Sequence, residues 1–188
     1  MKIIIGLGNP GERYAHTRHN VGFWVIDQLS QHWNTLVKTN KFQAKIGEGQ
    51  FAQEKIILVK PQTYMNRSGE AVKPILDYWN GSVSDLLVVF DDLALAPAQI
   101  RVKAKGSSGG HRGVQNIIDV LRTSEFARLR IGIGATPPGH NTPDYVLSTI
   151  GKSDLTVYQE AIKRGVQAVE CFVQQGADQA MNQFNSKE

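Results

Sequence analysis

Polar residues that can do acid–base chemistry stand directly after short apolar runs of this sequence. Asn9 follows the run Ile3–Leu7, and His19 comes ten residues later. Asp91 follows the run Leu86–Phe90. Histidine is the commonest general base in proteins, and a carboxylate can orient its ring. Because functional side chains of an α/β sheet gather beyond the carboxyl ends of its strands, the sequence predicts that these groups share one cleft.

The position of His19 favours a neutral imidazole. It precedes a helix predicted over Val21–Trp33, for which Asn20 is a good N-cap. The positive end of the helix dipole disfavours a protonated ring, so this histidine could accept a proton. A surface histidine without a role is the alternative interpretation of the same residue.

A second amide group follows another apolar run. Thr63–Asn66 comes shortly after Ile56–Val59, again where a strand is expected to end. Asn66 could therefore face the same cleft as Asn9. It also competes with Ser68 as the N-cap of the next helix, so capping and substrate contact are both open.

Strands and helices alternate along the chain, which indicates an α/β fold. At 188 residues the chain suits a single domain. We expect a glycine turn at Gly47–Gly49, and a tail after Gly176 that is either weakly ordered or a short helix. The other expected elements are strands at 36–50, 55–60, 86–90, 100–105 and 129–134, and helices at 69–79, 112–122 and 153–175.

Positive charge is concentrated in one segment. The whole chain has 21 basic and 17 acidic residues, but positions 100–130 alone hold seven basic residues against two acidic ones. The strand predicted there places Arg101, Lys103 and Lys105 on one face, because strand side chains alternate. This pattern favours a phosphate-bearing partner such as nucleic acid; a solvated surface is the alternative.

The compartment can be inferred from cysteine usage and hydropathy. Cys171 is the only cysteine, so no disulfide can form within the chain and a reducing compartment is expected. It lies in an amphipathic helix without basic neighbours, which indicates packing rather than reactivity. No apolar run approaches membrane-spanning length and no secretory signal is evident, so we expect a cytoplasmic protein that makes no membrane contact.

Three motifs suggest other chemistries, each weakly. Gly6–Gly11 matches a dinucleotide-binding pattern, but no helix pattern follows at once and no acidic residue ends the next strand. Gly106–Gly110 matches a nucleophile elbow around Ser108, although the chain is short for that fold and His140 is the only histidine after the adjoining His111. Asp91-Asp92 could bind a metal, but no histidine spacing supports it. The glycine segment is more simply a mobile loop near the site. Residues 136–141 form a second, Pro/Gly-rich loop.

Five segments taken together resemble the bacterial-type peptidyl-tRNA hydrolase family. They are spread over most of the chain in the order of the family: Gly6–Gly11 with Tyr14 and Thr17–Asn20, then Lys60–Gly69, Asp91–Leu93, Lys105–His111 and Arg128–Gly134. The resemblance implies one monomeric α/β domain over residues 1–188, a three-layer sandwich with a twisted, mixed and mostly parallel sheet between helices. It also implies hydrolysis of the ester that joins a peptide to the 3′ end of tRNA, which recycles tRNA from stalled translation without a cofactor or metal.

The resemblance also implies residue roles. His19 would be the general base acting on water, held by Asp91, while Asn9 and Asn66 would position the substrate or the water. Tyr14 and Met65 would line the cleft, and His111 with the glycine loop Gly106–Gly110 would border it. The basic residues expected to bind tRNA phosphates are Arg101, Lys103 and Arg130.

One position departs from the family pattern. The family commonly has asparagine after the histidine of the glycine loop, where this chain has Arg112. Arg112 could contact a phosphate or the peptide carbonyl, and we expect altered activity rather than its loss. Two other functions stay open from the sequence: an RNA-binding relative that has lost hydrolysis, and a serine hydrolase that uses Ser108.

Overall fold

The computed structural model describes residues 1–185 and contains a seven-stranded mixed sheet with the strand order β2-β3-β4-β1-β5-β7-β6. The central strands β4, β1, β5 and β7 run parallel, while β2, β3 and β6 pair antiparallel at the two sides. The strands are β1 (Lys2–Gly6), β2 (Thr39–Lys41), β3 (Ala44–Phe51), β4 (Glu54–Pro61), β5 (Leu86–Asp92), β6 (Ile100–Lys103) and β7 (Ala127–Gly132).

Helices cover both faces of this sheet. They are α1 (Val21–His32), α2 (Gly69–Tyr78), α3 (Arg112–Leu121), α4 (Thr142–Val146), α5 (Leu155–Gln175) and α6 (Ala177–Phe184). Ile4 packs into the core that contains α1 and α5 residues, whereas Ile3 and Ile5 pack into the core that contains α2 and α3 residues. A strand buried on both faces must be apolar at every position, which explains the continuous run in β1. The predicted three-layer α/β architecture is confirmed.

The predicted turn at Gly47–Gly49 is wrong, because both glycines lie inside β3. The chain does not reverse at these glycines; the absence of side chains there leaves room for Thr35 and Leu36 to pack against β3. A Cβ at Gly49 would lie 2.2 Å from Thr35 Oγ1, and a Cβ at Gly47 would lie 2.8 Å from the Leu36 carbonyl oxygen. The chain reverses next to them, at Ala52 and Gln53, both with positive φ.

The end of the described chain is a helix, so the helical alternative for the tail is confirmed for 177–184. Ala180 and Phe184 of α6 are buried against the α5 side of the core. The Asn185 side chain bonds both the Val102 N–H and the Val102 carbonyl at 2.8 Å. Residues 186–188 of the predicted tail lie outside the described residues. No helix within residues 1–185 is long and apolar enough to cross a membrane.

Candidate active site

His19 and Asp91 meet at the carboxyl edge of the central strands. Asp91 lies near the end of β5 and is 3% exposed. His19 lies in a 3₁₀ turn, Arg18–Asn20, that leads into α1. Its Nδ1 is 2.8 and 2.9 Å from the two carboxylate oxygens of Asp91. An ionised carboxylate can only accept, so Nδ1 carries the proton and Nε2 keeps a free lone pair.

A second histidine binds the same carboxylate, which the sequence did not indicate. His111 Nε2 lies 2.9 Å from Asp91 Oδ1. His111 is also the N-cap of α3, where its Nδ1 accepts a hydrogen bond from the Val114 N–H at 3.3 Å. Because Nδ1 accepts, the proton lies on Nε2 and is donated to Asp91. The only sequence signal for this contact is a histidine at a helix start.

These contacts keep Asp91 charged. Burial by itself would raise the pKa of the Asp91 carboxyl, but the charges and hydrogen bonds of His19 and His111 outweigh it, so its pKa lies well below the usual range. A buried anion that accepts from two ring N–H groups fixes both imidazole orientations. It can also stabilise the imidazolium that forms when His19 takes up a proton.

Two imidazoles and a carboxylate within 4.8 Å could in principle bind a cation. The hydrogen bonds instead indicate that the ring nitrogens facing Asp91 carry protons. A metal on Nε2 of His111 would move the ring proton to Nδ1, where it would face the Val114 N–H, donor against donor. The donor set therefore fits an Asp91-centred hydrogen-bond network better than a metal site.

Asn9 is buried next to this pair and is held from two sides. The Asn20 side chain bonds both the N–H and the carbonyl of Asn9 at 2.9 Å. Asn9 Oδ1 accepts from the Met65 N–H at 2.8 Å, which leaves the amide N–H groups of Asn9 for the cleft. Asn20 does occupy the N-cap position of α1, but the predicted side-chain cap is wrong, because that side chain binds Asn9 instead.

The segment after β4 forms one wall of the cleft. Met65 and the exposed Asn66 line it from a short 3₁₀ turn. Asn66 does not cap α2: Ser68 holds the N-cap position, and its hydroxyl donates to the Met65 carbonyl. The competing capping prediction for Asn66 is therefore wrong, which leaves its side chain for substrate contact.

Tyr64 lines the cleft, although no pattern in the sequence indicated a role for it. Its backbone has φ 52° and ψ 156°, a conformation that residues other than glycine adopt at a cost and mainly at functional sites. Its ring is 55% exposed and lines the cleft. Tyr14 packs edge-on against that ring, 6.4 Å between centroids, so it supports the wall through Tyr64 rather than lining the main cleft itself.

Some basic residues of the segment 100–130 are held by other groups of the protein, and others have no such partner within residues 1–185. Arg128 is buried, donates to the carbonyls of Ser107 and Ser124, and so holds the glycine loop; burial and the nearby Arg130 lower its pKa to about 10. Arg130 lines the cleft in an ion pair with Asp92.

Lys105 does not belong to the predicted basic strand face. It lies beyond the end of β6 and pairs with Glu125, 3.1 Å away. Arg101 and Lys103 have no carboxylate partner within residues 1–185. Lys103 lines the cleft, and both border a shallower depression beside it.

The alternative nucleophile is turned away from any base. Ser108 is partly exposed, and its hydroxyl donates to the Gln115 side chain at 2.7 Å. No histidine within residues 1–185 bonds it. The dinucleotide alternative is also unsupported, because a 3₁₀ turn, Glu12–Tyr14, follows Gly11 where that motif would open an α-helix.

The cleft has a volume of about 830 Å³. Its far wall is α4, with Val146 and Leu147 facing the space. Arg18 ties this wall to the His19 turn, since its guanidinium donates to Ser148 Oγ at 2.7 Å and lies 4.7 Å from the Tyr145 ring centroid. The cleft can thus hold an extended substrate across the His19–Asp91 pair.

Comparisons with known proteins match this chain to one family. The family model described as peptidyl-tRNA hydrolase matches residues 3–188. The chain is 46% identical to the peptidyl-tRNA hydrolase of Bacillus subtilis, covering 100% of both chains, and 46% identical to that of Geobacillus kaustophilus, covering 98% of this chain and 100% of the relative.

A crystal structure of peptidyl-tRNA hydrolase from Acinetobacter baumannii superimposes with a TM-score of 0.94 at 36% identity, covering 100% of this chain and 96% of that one. This chain therefore matches these relatives in sequence and in fold over nearly its whole length. The chain belongs to the peptidyl-tRNA hydrolase family.

Proposed function

We propose that this protein hydrolyses the ester between the peptide and the 3′ end of tRNA, with His19 as the general base, and so recycles tRNA from aborted translation. The observation that carries the mechanism is the bond from His19 Nδ1 to the buried Asp91 carboxylate, 2.8 Å long, which leaves Nε2 free towards the cleft. Family membership supports the reaction itself.

The reaction needs only a water molecule and these side chains. His19 Nε2 removes a proton from water as its oxygen attacks the ester carbonyl, and Asp91 stabilises the resulting imidazolium. The amide N–H groups of Asn9 and Asn66 donate to the oxyanion that develops on the carbonyl oxygen. The imidazolium then protonates the departing ribose oxygen, which releases tRNA and a peptide carboxylic acid, and the acid loses its remaining proton to solvent.

The tRNA lies on the basic side of the cleft. Lys103 and Arg101 on β6 bind phosphates of the backbone, with Arg130 beside the 3′ CCA end. Arg130 must share its charge with Asp92, so the unpaired Lys103 contributes more to this contact. One domain over residues 1–188 carries both groups of residues and acts as a monomer, with Tyr14, Met65 and His111 shaping the site. The substrate is a product of the ribosome, which places the reaction in the cytoplasm.

The direct test is hydrolysis of N-acetyl-aminoacyl-tRNA by the purified chain in the presence of EDTA. We expect release of N-acetyl-amino acid at the same rate with and without the chelator, because no step requires a metal. Tight tRNA binding without ester cleavage would favour the RNA-binding alternative, and loss of activity in EDTA would reject the metal-free mechanism.

Replacing Lys103 by alanine is expected to weaken tRNA binding, most strongly at low salt. Removing one phosphate contact reduces the slope of log K against log salt by about one. Affinity measured from 50 to 300 mM salt tests this. Lys55→Ala is the control, because Lys55 lies at the N-terminal end of β4, away from the cleft, and pairs with Glu48. A loss of affinity that does not change with salt would contradict phosphate contact.

Replacing Ser108 by alanine is expected to change kcat by less than about threefold, because in the described part of the chain its hydroxyl donates to Gln115 and bonds no base. Steady-state hydrolysis of the same substrate measures this. A loss as large as that of a general-base variant would instead support the serine-hydrolase alternative.

A further inference from the structure

The basic side chains that line the cleft differ in whether they already bond an acceptor or a carboxylate of the protein. Arg128 and Arg130 are committed to the loop carbonyls and to Asp92. Within residues 1–185, no acceptor or carboxylate holds Lys103 or Arg112, although both line the cleft. Two positive charges are therefore available to a substrate.

These two charges lie on opposite sides of the reacting centre. Lys103 is on β6, at the β7 side of the sheet. Arg112 begins α3, and its neighbour Gly113 packs directly on Met65: a Cβ on Gly113 would lie 2.6 Å from Met65 Sδ. Met65 follows β4, which lies on the other side of β1 and β5. Asp91 lies on β5, which stands between β4 and β6 in the order of the strands.

A substrate cleaved at His19 extends from that point in two directions. Its nucleotide half carries one phosphate per residue and fits the β6 side, where Arg101 and Lys103 have no carboxylate partner among residues 1–185. Its acyl half must then extend towards the β4 side, where Arg112 stands. An acyl chain has no phosphate, so the anion that Arg112 can meet there is a carboxylate.

The charge of Arg112 has no evident role in folding. Arg112 is exposed and occupies the first position of α3, where the positive end of the helix dipole disfavours a cation. Within residues 1–185 no ion pair offsets this. At the other end of the same helix, Arg122 is also exposed and unpaired in this part of the chain, but it lies outside the cleft.

We propose that Arg112 is a specificity-determining residue that binds carboxylate side chains near the C-terminus of the peptidyl group. The enzyme then prefers peptidyl-tRNAs that carry Asp or Glu close to the scissile ester. This inference rests on the proposed hydrolase function and adds a substrate preference to it.

The test uses two matched substrate pairs on one tRNA body, which differ only by Glu or Gln. One pair has the difference at the esterified residue of an N-acetyl-dipeptidyl-tRNA, and the other has it at the preceding residue. For the unmodified protein we expect a KM about threefold to tenfold lower for the Glu member of at least one pair, with similar kcat values. Arg112→Gln should bring that ratio to about one, and Arg112→Glu should make the Gln member the better substrate. Arg122→Gln is the matched control and should keep the original ratio.

The outcomes separate this inference from the function on which it rests. No cleavage of either member would reject the hydrolase proposal. Cleavage of both members with equal KM would reject only the role of Arg112. An equal rise in KM for both members in Arg112→Gln, together with a reduced salt slope, would place Arg112 on a phosphate and also overturn the inference.

Discussion

Replacing His19 by alanine is expected to lower kcat for N-acetyl-aminoacyl-tRNA hydrolysis by about 10²–10⁴-fold, the usual contribution of a positioned general base. The variant keeps the Asn9 and Asn66 donors and the phosphate contacts, so KM should change little. Single-turnover kinetics with saturating enzyme measure the chemical step directly. Circular dichroism should show an unchanged fold.

The chain supplies a matched control for this substitution. His16 lies three residues before His19 and is exposed. Within residues 1–185 its only hydrogen bond is the one that its backbone carbonyl accepts from the Ile150 N–H. His16→Ala should therefore keep kcat near that of the unmodified protein. Near-normal turnover by His19→Ala would reject His19 as the base.

Replacing Asp91 by asparagine is expected to lower kcat by about 10²–10⁴-fold through the wrong imidazole tautomer. In the structure, two ring N–H groups donate to one carboxylate. An asparagine amide presents an N–H₂ group to one of those rings. If that group faces His19 Nδ1, the ring must accept there and carry its proton on Nε2, where the base should be free.

The Asp91 substitution also has a predicted effect on acid stability. The pKa of Asp91 is lower in the folded protein than the unfolded value of about 3.9, so its contribution to stability is complete above about pH 4. The contribution is lost as the pH falls through the lowered folded pKa. The measurement is the melting temperature between pH 2 and 7. It should fall less steeply on acidification for Asp91→Asn than for the unmodified protein. Asp77→Asn is the control, because Asp77 is exposed on α2, and its melting temperature should follow that of the unmodified protein. Equal acid sensitivity of Asp91→Asn and the unmodified protein would contradict this linkage.

A shared cleft for Asn9 and Asp91 could be predicted because both directly follow central strands of a parallel sheet, whereas the pairing of His19 with Asp91 was implied by the family resemblance. The apolar runs at Ile3–Leu7 and Leu86–Phe90 are strong strand signals, and neighbouring parallel strands end at the same edge. The family resemblance added the expected roles, and the distance between the two side chains agrees with them.

Other features depend on contacts between distant segments and could not be inferred from local pattern. Glycines usually mark turns, yet Gly47 and Gly49 make room for Thr35 and Leu36 inside a strand. The strained backbone of Tyr64 also follows no sequence rule.

Capping side chains show the same limit. Asn20 and His111 both occupy N-cap positions, but the side chain of Asn20 turns to Asn9 while that of His111 spans Val114 and Asp91. A sequence pattern can place a residue at a helix start, but the competition between capping and a distant partner is decided by packing.

The contact between Asn185 and Val102 has a consequence for how the molecule behaves in a crowded cell. The exposed margin of a β-sheet offers unpaired peptide groups on which another polypeptide can add a strand, and this leads to aggregation. At β6 the Asn185 amide already occupies both peptide groups of Val102. At the opposite margin, β2 is only three residues long. Neither margin gives an incoming strand a long template, so the sheet is protected against fibril-like association.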